Sequence, residues 1–430
     1  MTFRESKLSE LCEIVSSKRV FAASYQSEGI PFFRGKEVSQ LARGEKTTAE
    51  LYISKEVYND VVLRTGPINP GDILITAVGT IGNPYHVKNS ALPFYFKDGN
   101  IVWLRNYSEL INSTFLFYWL NSEFGRKKVL DTAIGSTQAA LTITGLSGIT
   151  IGFPGLAQQA EIVSVLSAID EKIEANNAIS KTLEDIAQAM FKSWFIDFDP
   201  VKAKMAGERL SGMDDATAAL FPDSMEESEV GFIPKGWIAT QLKSVLFLHK
   251  ATVKSGVKTE SIPYVPVDQI SSKDIFLRNS ASGQYAKTSL VSFEKNDILF
   301  GAMRPYFHKV TLAPFDGTTR TTTFVLRPKE LGYLAFGLFT VFQEKAVAYA
   351  TNHAQGSTIP YAVWNNSFEN FPTVMPTIEI ASAFNRLVLP MMEYGYSLLA
   401  ENRQLVQIRD SFLPRFISGE LQIPEGMVAQ

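Results

Sequence analysis

The chain has 430 residues, 45% of them hydrophobic, one cysteine and a net charge of −3. This length allows two or three domains with real cores, and a single thiol excludes a disulfide framework and points to a reducing compartment. The charged start "MTFRESKLSELCEIV" has no signal-peptide core, and the longest apolar run, Leu331 to Phe342, has 12 residues, too few to span a bilayer, so the expectation is a soluble cytoplasmic protein.

In chain order, residues 1–153 read as a first globule. "DILITAV" (72–78) and "GNIVWLR" (99–105) are β-branched runs between Gly, Pro and Asn punctuation. A helix is predicted over Ser113 to Val129, with Phe115, Leu116, Trp119 and Leu120 as its apolar residues and Lys127 and Lys128 near its C-terminal end. A Gly135-Ser-Thr loop and another strand complete a mixed α/β unit. Residues 154–197 read as a long helix. Ile162, Leu166, Ile169, Ile173, Leu183, Ala187, Met190 and Trp194 recur at heptad spacing, interrupted by Asn176 and Ser180. Continuous from Ala157 to Phe195, it would run roughly 58 Å. Residues 198–236 are acidic, with Gly and Pro at turns, and read as a surface connector.

Residues 237–376 read as a second globule and 377–418 as a second long helix, with 419–430 as a tail. Phe384, Val388, Met391, Leu398, Leu405, Phe412 and Phe416 repeat the helical spacing, while Gly395, Asn402 and Arg409 interrupt it. Pro390 reads as a kink or a late helix start. Stripes this long exceed what a small domain can cover, so the two helices are expected to pack on each other. Trp194, Phe195, Phe412 and Phe416 read first as core residues and second as contacts for partner chains.

The two halves repeat. "IPFFRGKEVS" (30–39) matches "IPYVPVDQIS" (262–271), and "GDILITAVGTIGNPYHV" (71–87) matches "NDILFGAMRPYFHKV" (296–310), which aligns Pro84-Tyr85 with Pro305-Tyr306. "STFLFYWLNSEFGRKKVLDTAIGST" (113–137) matches "YLAFGLFTVFQEKAVAYATNHAQGST" (333–358), and "LEDIAQAMFKSWF" (183–195) matches "LVQIRDSFLPRF" (405–416). Matches in preserved order with a slowly drifting offset indicate duplication of a whole domain and its trailing helix, a period far too long for a solenoid.

A pI near 6.0 alone argues against nucleic acid, but the charge is uneven. Residues 154–230 hold 6 Lys+Arg against 15 Asp+Glu, whereas residues 231–375 hold 15 against 9, so the second globule has a basic surplus suited to phosphate. No catalytic constellation accompanies it. "GNPYHV" lacks the second proline of the base-holding Asn-Pro-Pro-aromatic motif, and there is no P-loop. The four histidines, His86, His249, His308 and His353, have no metal spacing, and there is no nucleophile elbow. The chain therefore reads as a binder, either of DNA or, alternatively, as a two-headed non-enzymatic adaptor for protein partners.

"MFKSWFIDFDPVKAKMAG" followed by "AALFPDSMEESEVGFIPKGW" resembles the central region of specificity subunits of type I restriction-modification systems. "GDIL", "GTIG", the Gly-Ser-Thr loops and "LLAENRQLVQIRDSFLPRFISGEL" fit the same family. The resemblance implies a mixed α/β (α+β) architecture: two globular target recognition domains, each followed by a long α-helix, with the helices packed antiparallel as a coiled-coil-like stalk of pseudo-two-fold symmetry. It implies a non-catalytic subunit that binds double-stranded DNA, two methyltransferase subunits and two restriction/translocase subunits. S-adenosylmethionine, ATP and Mg²⁺ would sit on those partners, with no cofactor or metal on this chain.

Arg forks read guanine and Asn or Gln reads adenine, while Lys, Ser, Thr and Tyr mostly hold phosphate. The candidate DNA-binding residues are Arg34, Lys36, Thr80, Tyr85, Lys88, Ser136, Thr137 and Gln138 in the first half. In the second they are Lys250, Lys254, Arg304, Tyr306, His308, Arg320, Gln355, Ser357, Thr358 and Tyr361. Arg304 leads this set, because it follows a strand and adjoins Pro-Tyr.

Overall fold

The computed structural model describes residues 3–44, 47–88, 91, 93–135, 139–287 and 290–421. Two 40-residue helices, Leu156–Phe195 and Ile378–Ile417, are its longest elements. The chain forms two compact units, residues 1–173 with 403–430 and residues 174–402, and each long helix contributes a portion to each unit.

The first unit is built on a four-stranded antiparallel sheet of β1 (Glu13–Val15), β2 (Ile73–Thr76), β3 (Pro84–His86) and β4 (Ile101–Arg105), in the order β1-β4-β2-β3. Strand alternation divides its side chains between two cores. Ile73, Ile75, Val102 and Leu104 face one that also holds Phe115, Trp119, Ile162, Leu166, Leu413 and Phe416. Leu74, Ile101 and Trp103 face the other, with Phe32, Val38, Phe94 and Phe96. A sheet covered on both faces explains why "DILI" and "IVWL" are uninterrupted apolar runs. At the sheet's edge Asp72, buried, accepts hydrogen bonds from the Asn69 N–H and the Trp103 indole N–H, both 2.8 Å. Burial pushes its carboxyl pKa up.

The second unit repeats this plan. β5 (Leu246–His249), β6 (Ile298–Gly301), β7 (Val310–Leu312) and β8 (Thr323–Pro328) lie in the order β5-β8-β6-β7, the same permutation. Ile298, Phe300 and Leu326 face one core, and Leu299 and Val325 the other. Asp297 stands where Asp72 does. It accepts the Glu294 N–H at 2.7 Å and takes the Arg327 guanidinium as its partner in place of an indole, at 2.6 Å.

Four expectations need correction. The helix predicted over Ser113 to Val129 is two helices, Ser113–Asn121 and Glu123–Asp131. Ser122 between them is extended, and its Oγ accepts the Gly125 N–H at 3.0 Å, so a capping signal ends one helix and starts the next. Residues 198–236 are more than a surface connector. They form helices Asp199–Met205 and Asp215–Leu220 and a hairpin of Met225–Ser228 with Gly231–Pro234. Val201, Phe221 and Ile233 are buried with Trp237, and Phe221 meets Trp194 edge-on at 5.1 Å. The acids that dominate the composition stay outside, and a few well-spaced apolar residues carry the packing.

Pro390 does not start the second long helix, which runs without interruption from Ile378 to Ile417. Pro390 is exposed, so the carbonyl its missing N–H leaves unpaired faces water. Gly395 does not merely interrupt an apolar stripe. A Cβ there would lie 2.3 Å from the Phe276 ring, which packs edge-on against Tyr396 at 5.1 Å.

Within each unit the two long helices touch. In the first, the Arg409 guanidinium pairs with Asp170 at 2.8 Å, and the Tyr118 hydroxyl donates to the same carboxylate at 2.8 Å. In the second, Phe384 is fully buried against Phe191, Trp194 and Phe195, a cluster in which loss of one ring costs about 3–5 kcal/mol. There Asn176, also fully buried, donates to Glu401 at 2.8 Å and to Asn402 at 2.9 Å.

Overpacking at the Gly395 contact is expected to destabilise the chain. Gly395→Ala should cost about 1–3 kcal/mol, a fall of several degrees in Tm by calorimetry. Phe276→Leu in the same chain should restore part of the loss. An unchanged Tm for Gly395→Ala would refute the contact.

Candidate nucleic-acid interface

In the second unit three chain segments converge at one end of the four-stranded sheet. The Ala302 and Met303 N–H groups both donate to the Thr322 carbonyl, at 2.9 and 3.3 Å. Arg304 N–H donates to Pro360 at 2.8 Å, and Ala362 N–H to Ala302 at 2.8 Å. Gln355 and Tyr361 exchange two backbone hydrogen bonds of 2.8 Å each, closing the Gly356-Ser-Thr loop, and Met303 bridges Tyr361 from the other side. The Tyr361 hydroxyl donates to the Thr321 carbonyl. Segments 302–309, 320–323 and 353–362 contain Arg304, Lys309 and Arg320 and no carboxylate.

The first unit has the same construction. Ala77 N–H donates to Asn100 at 2.8 Å, and Leu141 N–H to Ala77 at 2.9 Å. Ile134 and Ala140 exchange two bonds of 2.9 Å, and Val78 bridges Ala140. Ala77, Val78, Ile134, Ala140 and Leu141 therefore occupy the places of Ala302, Met303, Gln355, Tyr361 and Ala362. Gly79 corresponds to Arg304, and both have left-handed backbone, φ 82° and 52°. A non-glycine residue there costs about 1–2 kcal/mol.

This register corrects the repeat alignment at one point. Pro84 and Tyr85 lie in β3, opposite Ile75 and Leu74, whereas Val310 and Thr311 of β7 hold those places opposite Phe300 and Leu299. Pro305-Tyr306 lies in a 3₁₀ turn that the first unit lacks. The two Pro-Tyr steps are not equivalent.

Two candidates do not reach the surface. Tyr85 is 7% exposed and belongs to the core beside Leu74 and Trp103, and burial raises its phenol pKa. His308 is 5% exposed, with Nε2 2.8 Å from the Phe342 carbonyl. Burial holds its pKa below the ordinary imidazole value. In the first half, Arg34 is bound by its own chain: its guanidinium meets Glu37 at 2.6 Å and Glu50 at 2.5 Å, and Lys36 shares Glu50 at 2.5 Å. Thr80 is exposed and its carbonyl accepts the Thr76 hydroxyl. Lys88 is exposed, and Ser136, Thr137 and Gln138 lie outside the described residues.

In the second half, Lys250, Lys254, Arg320, Gln355, Ser357 and Thr358 are all exposed. Tyr361 is half-buried, its hydroxyl engaged as described. Arg304 is half-buried, and its guanidinium makes no hydrogen bond or ion pair among the described residues. Tyr306 is 50% exposed and stands beside Phe307, 45% exposed, with ring centroids 4.8 Å apart. The sequence reading missed Phe307, because the Pro-Tyr match drew attention to Tyr306 alone. Two adjacent aromatics in a loop otherwise built of Arg, Pro, His and Lys were the available signal. It also missed Arg126, whose guanidinium donates to Asn83 at 2.9 Å beside the 77–83 loop.

Among the described residues no group of three or more His, Cys, Asp or Glu side chains could hold a metal ion, and no helix is long and apolar enough to cross a membrane.

Residues 2–185 match the family described as "Type I restriction modification DNA specificity domain". The chain is 23% identical over 402 residues to the type I restriction enzyme HindI specificity subunit of Haemophilus influenzae, covering 82% of this chain and 87% of that one. It is 25% identical over 433 residues to the MjaIX specificity subunit of Methanocaldococcus jannaschii, covering 93% and 89%. Residues 2–185 thus carry a type I specificity domain, and the chain resembles type I specificity subunits over most of its length. Among solved structures, the S subunit of the type I restriction-modification system from M. genitalium shares the fold, with a TM-score of 0.55 at 13% identity, covering 97% of this chain and 96% of that one. In this chain the convergent loops occupy corresponding strand ends on two sheets of like order.

The buried His308 sets a pH response. Its folded pKa lies below the unfolded value of about 6.5. The unfolded chain therefore binds the extra proton first, and stability present above that value is lost as pH falls through about 6.5. Lys273 opposes the charged imidazole and Glu344 favours it, and both are exposed. His308→Gln is expected to flatten the wild-type decline in Tm between about pH 7 and 5. Equal slopes for the two proteins would refute this assignment.

Proposed function

We propose that this chain is the DNA sequence-recognition subunit of a type I restriction-modification complex and that it reads an asymmetric, bipartite target, one recognition domain per half-site. The observation that carries this reading is the repeated register of the two closed loops, 134–140 and 355–361, against corresponding strand ends. The scaffold is the same twice, while the side chains on it differ. Val78-Gly79-Thr80 corresponds to Met303-Arg304-Pro305, and Ala140 to Tyr361. Two unlike readers on one scaffold suit two unlike half-sites. Arg304, Arg320, Gln355, Ser357 and Thr358 are the proposed contacts in the second domain, with Arg304, Arg320 and Gln355 suited to base edges and Ser357 and Thr358 mainly holding phosphate. In the first, Thr80, Lys88, Ser136, Thr137 and Gln138 take those roles.

The two long helices form an antiparallel, coiled-coil-like stalk with pseudo-two-fold symmetry in this reading. The Asp170–Arg409 and Asn176–Asn402 contacts support it. The stalk fixes the number of unread base pairs and docks two methyltransferase subunits, to which two restriction/translocase subunits add. Catalysis, with S-adenosylmethionine, ATP and Mg²⁺, belongs to those partners.

Methylome sequencing tests the reading directly. A split adenine-methylated motif should appear with this gene and vanish without it, and an identical motif in both strains would end the proposal. Arg304→Ala should lower affinity for the cognate duplex by about 1–3 kcal/mol and relax one position of one half-site. Relaxation in the other half-site would break the assignment of domains to half-sites. Adding one heptad to both helices together should lengthen the spacer and leave both half-sites unchanged. An altered half-site at constant spacing would refute the stalk.

A further inference from the structure

We propose that Tyr306 and Phe307 form an aromatic wedge that unstacks a base step in the second half-site, so that the second recognition domain, unlike the first, reads its DNA partly by deforming it. The inference rests on the proposed recognition of duplex DNA and specifies how one half-site is engaged.

Four observations carry it. The two rings are about half exposed and lie together, 4.8 Å between centroids, in a domain whose other aromatic side chains are mostly core. Their turn is rigid. It is a single 3₁₀ turn, Pro305–Phe307, flanked on both sides by left-handed residues, Arg304 at φ 52° and His308 at φ 51°. The Phe307 carbonyl accepts the Ser272 hydroxyl at 2.5 Å, and His308 is anchored through its ring to Phe342 and through its carbonyl to Lys273 N–H at 2.9 Å. A wedge must be held in advance, because ordering a floppy loop would consume the contact energy. The turn also sits on the cationic rim: Arg304 precedes it directly and is tied by its backbone to Pro360 of the Gly356-Ser-Thr loop.

The remaining observation is the contrast between the units. The corresponding connection in the first unit, Ala77 to Asn83, contains no aromatic residue, and the tyrosine that follows it, Tyr85, is buried. Apolar rings exposed beside Arg304, whose guanidinium makes no hydrogen bond or ion pair among the described residues, suit a partner with a charged backbone and apolar, stackable faces. Duplex DNA has both, and proteins that insert apolar side chains between base steps pair them with Arg and Lys in this way.

The test uses the assembled methyltransferase complex and duplexes carrying the motif found by methylome sequencing, with 2-aminopurine placed at successive positions of each half-site. Wild-type complex should raise 2-aminopurine fluorescence at one step of the second half-site and at none of the first. The double variant Tyr306→Ala, Phe307→Ala should abolish the rise and weaken cognate binding by roughly 10-fold or more. Tyr306→Phe should keep both signals, and equal Tm values should exclude a folding defect. Specific binding with no fluorescence change in wild type, or an unchanged rise in the double variant, overturns the wedge and leaves the recognition role standing. Absence of specific binding by the wild-type complex overturns the recognition role itself.

Discussion

A 40-residue helix with one apolar stripe cannot persist alone in water, and this chain contains two. One core in each unit covers its part of those stripes. In the first unit Ile162 and Leu166 find Leu413 and Phe416 in a core shared with the sheet. In the second, Phe191, Trp194 and Phe195 surround Phe384. Polar groups in the stripe then select a register. A buried asparagine costs stability unless it meets another polar group, so Asn176 against Asn402 penalises a slipped alignment more than leucines would.

The sheets show how one scaffold supports two surfaces. The strand order and the buried aspartates Asp72 and Asp297 are common to both units, while the partner of each aspartate differs, an indole in one and a guanidinium in the other. Sheet and core set where the loops emerge. The loops then diverge with little effect on the core, because their backbone bonds, Ile134 with Ala140 and Gln355 with Tyr361, do not depend on side chains.

Much of this was legible in the sequence, because helix periodicity and internal repetition are long-range signals that survive local noise. The two long helices and the duplicated strands follow from spacing and internal repetition. What failed was local. Ser122 broke a helix through a single cap inside a strongly apolar run. Pro390 did not break one: Arg386, whose carbonyl loses the N–H that proline lacks, is exposed to water, as is Pro390. The match of Pro84-Tyr85 to Pro305-Tyr306 put a core tyrosine among the surface candidates, since identical dipeptides carry no information about which faces solvent. Burial of His308 and neutralisation of Arg34 by Glu37 and Glu50 depend on residues distant in sequence or aligned by a turn, which residue type cannot reveal.

Arg304 occupies a backbone conformation that its counterpart meets with glycine. For folding alone, glycine is the better residue there, so the arginine is retained against a conformational penalty of about 1–2 kcal/mol. That penalty makes the position a trade-off between robustness and discrimination. Stability alone would favour glycine at this position, so the long cationic side chain on such a backbone has to be accounted for by something other than folding.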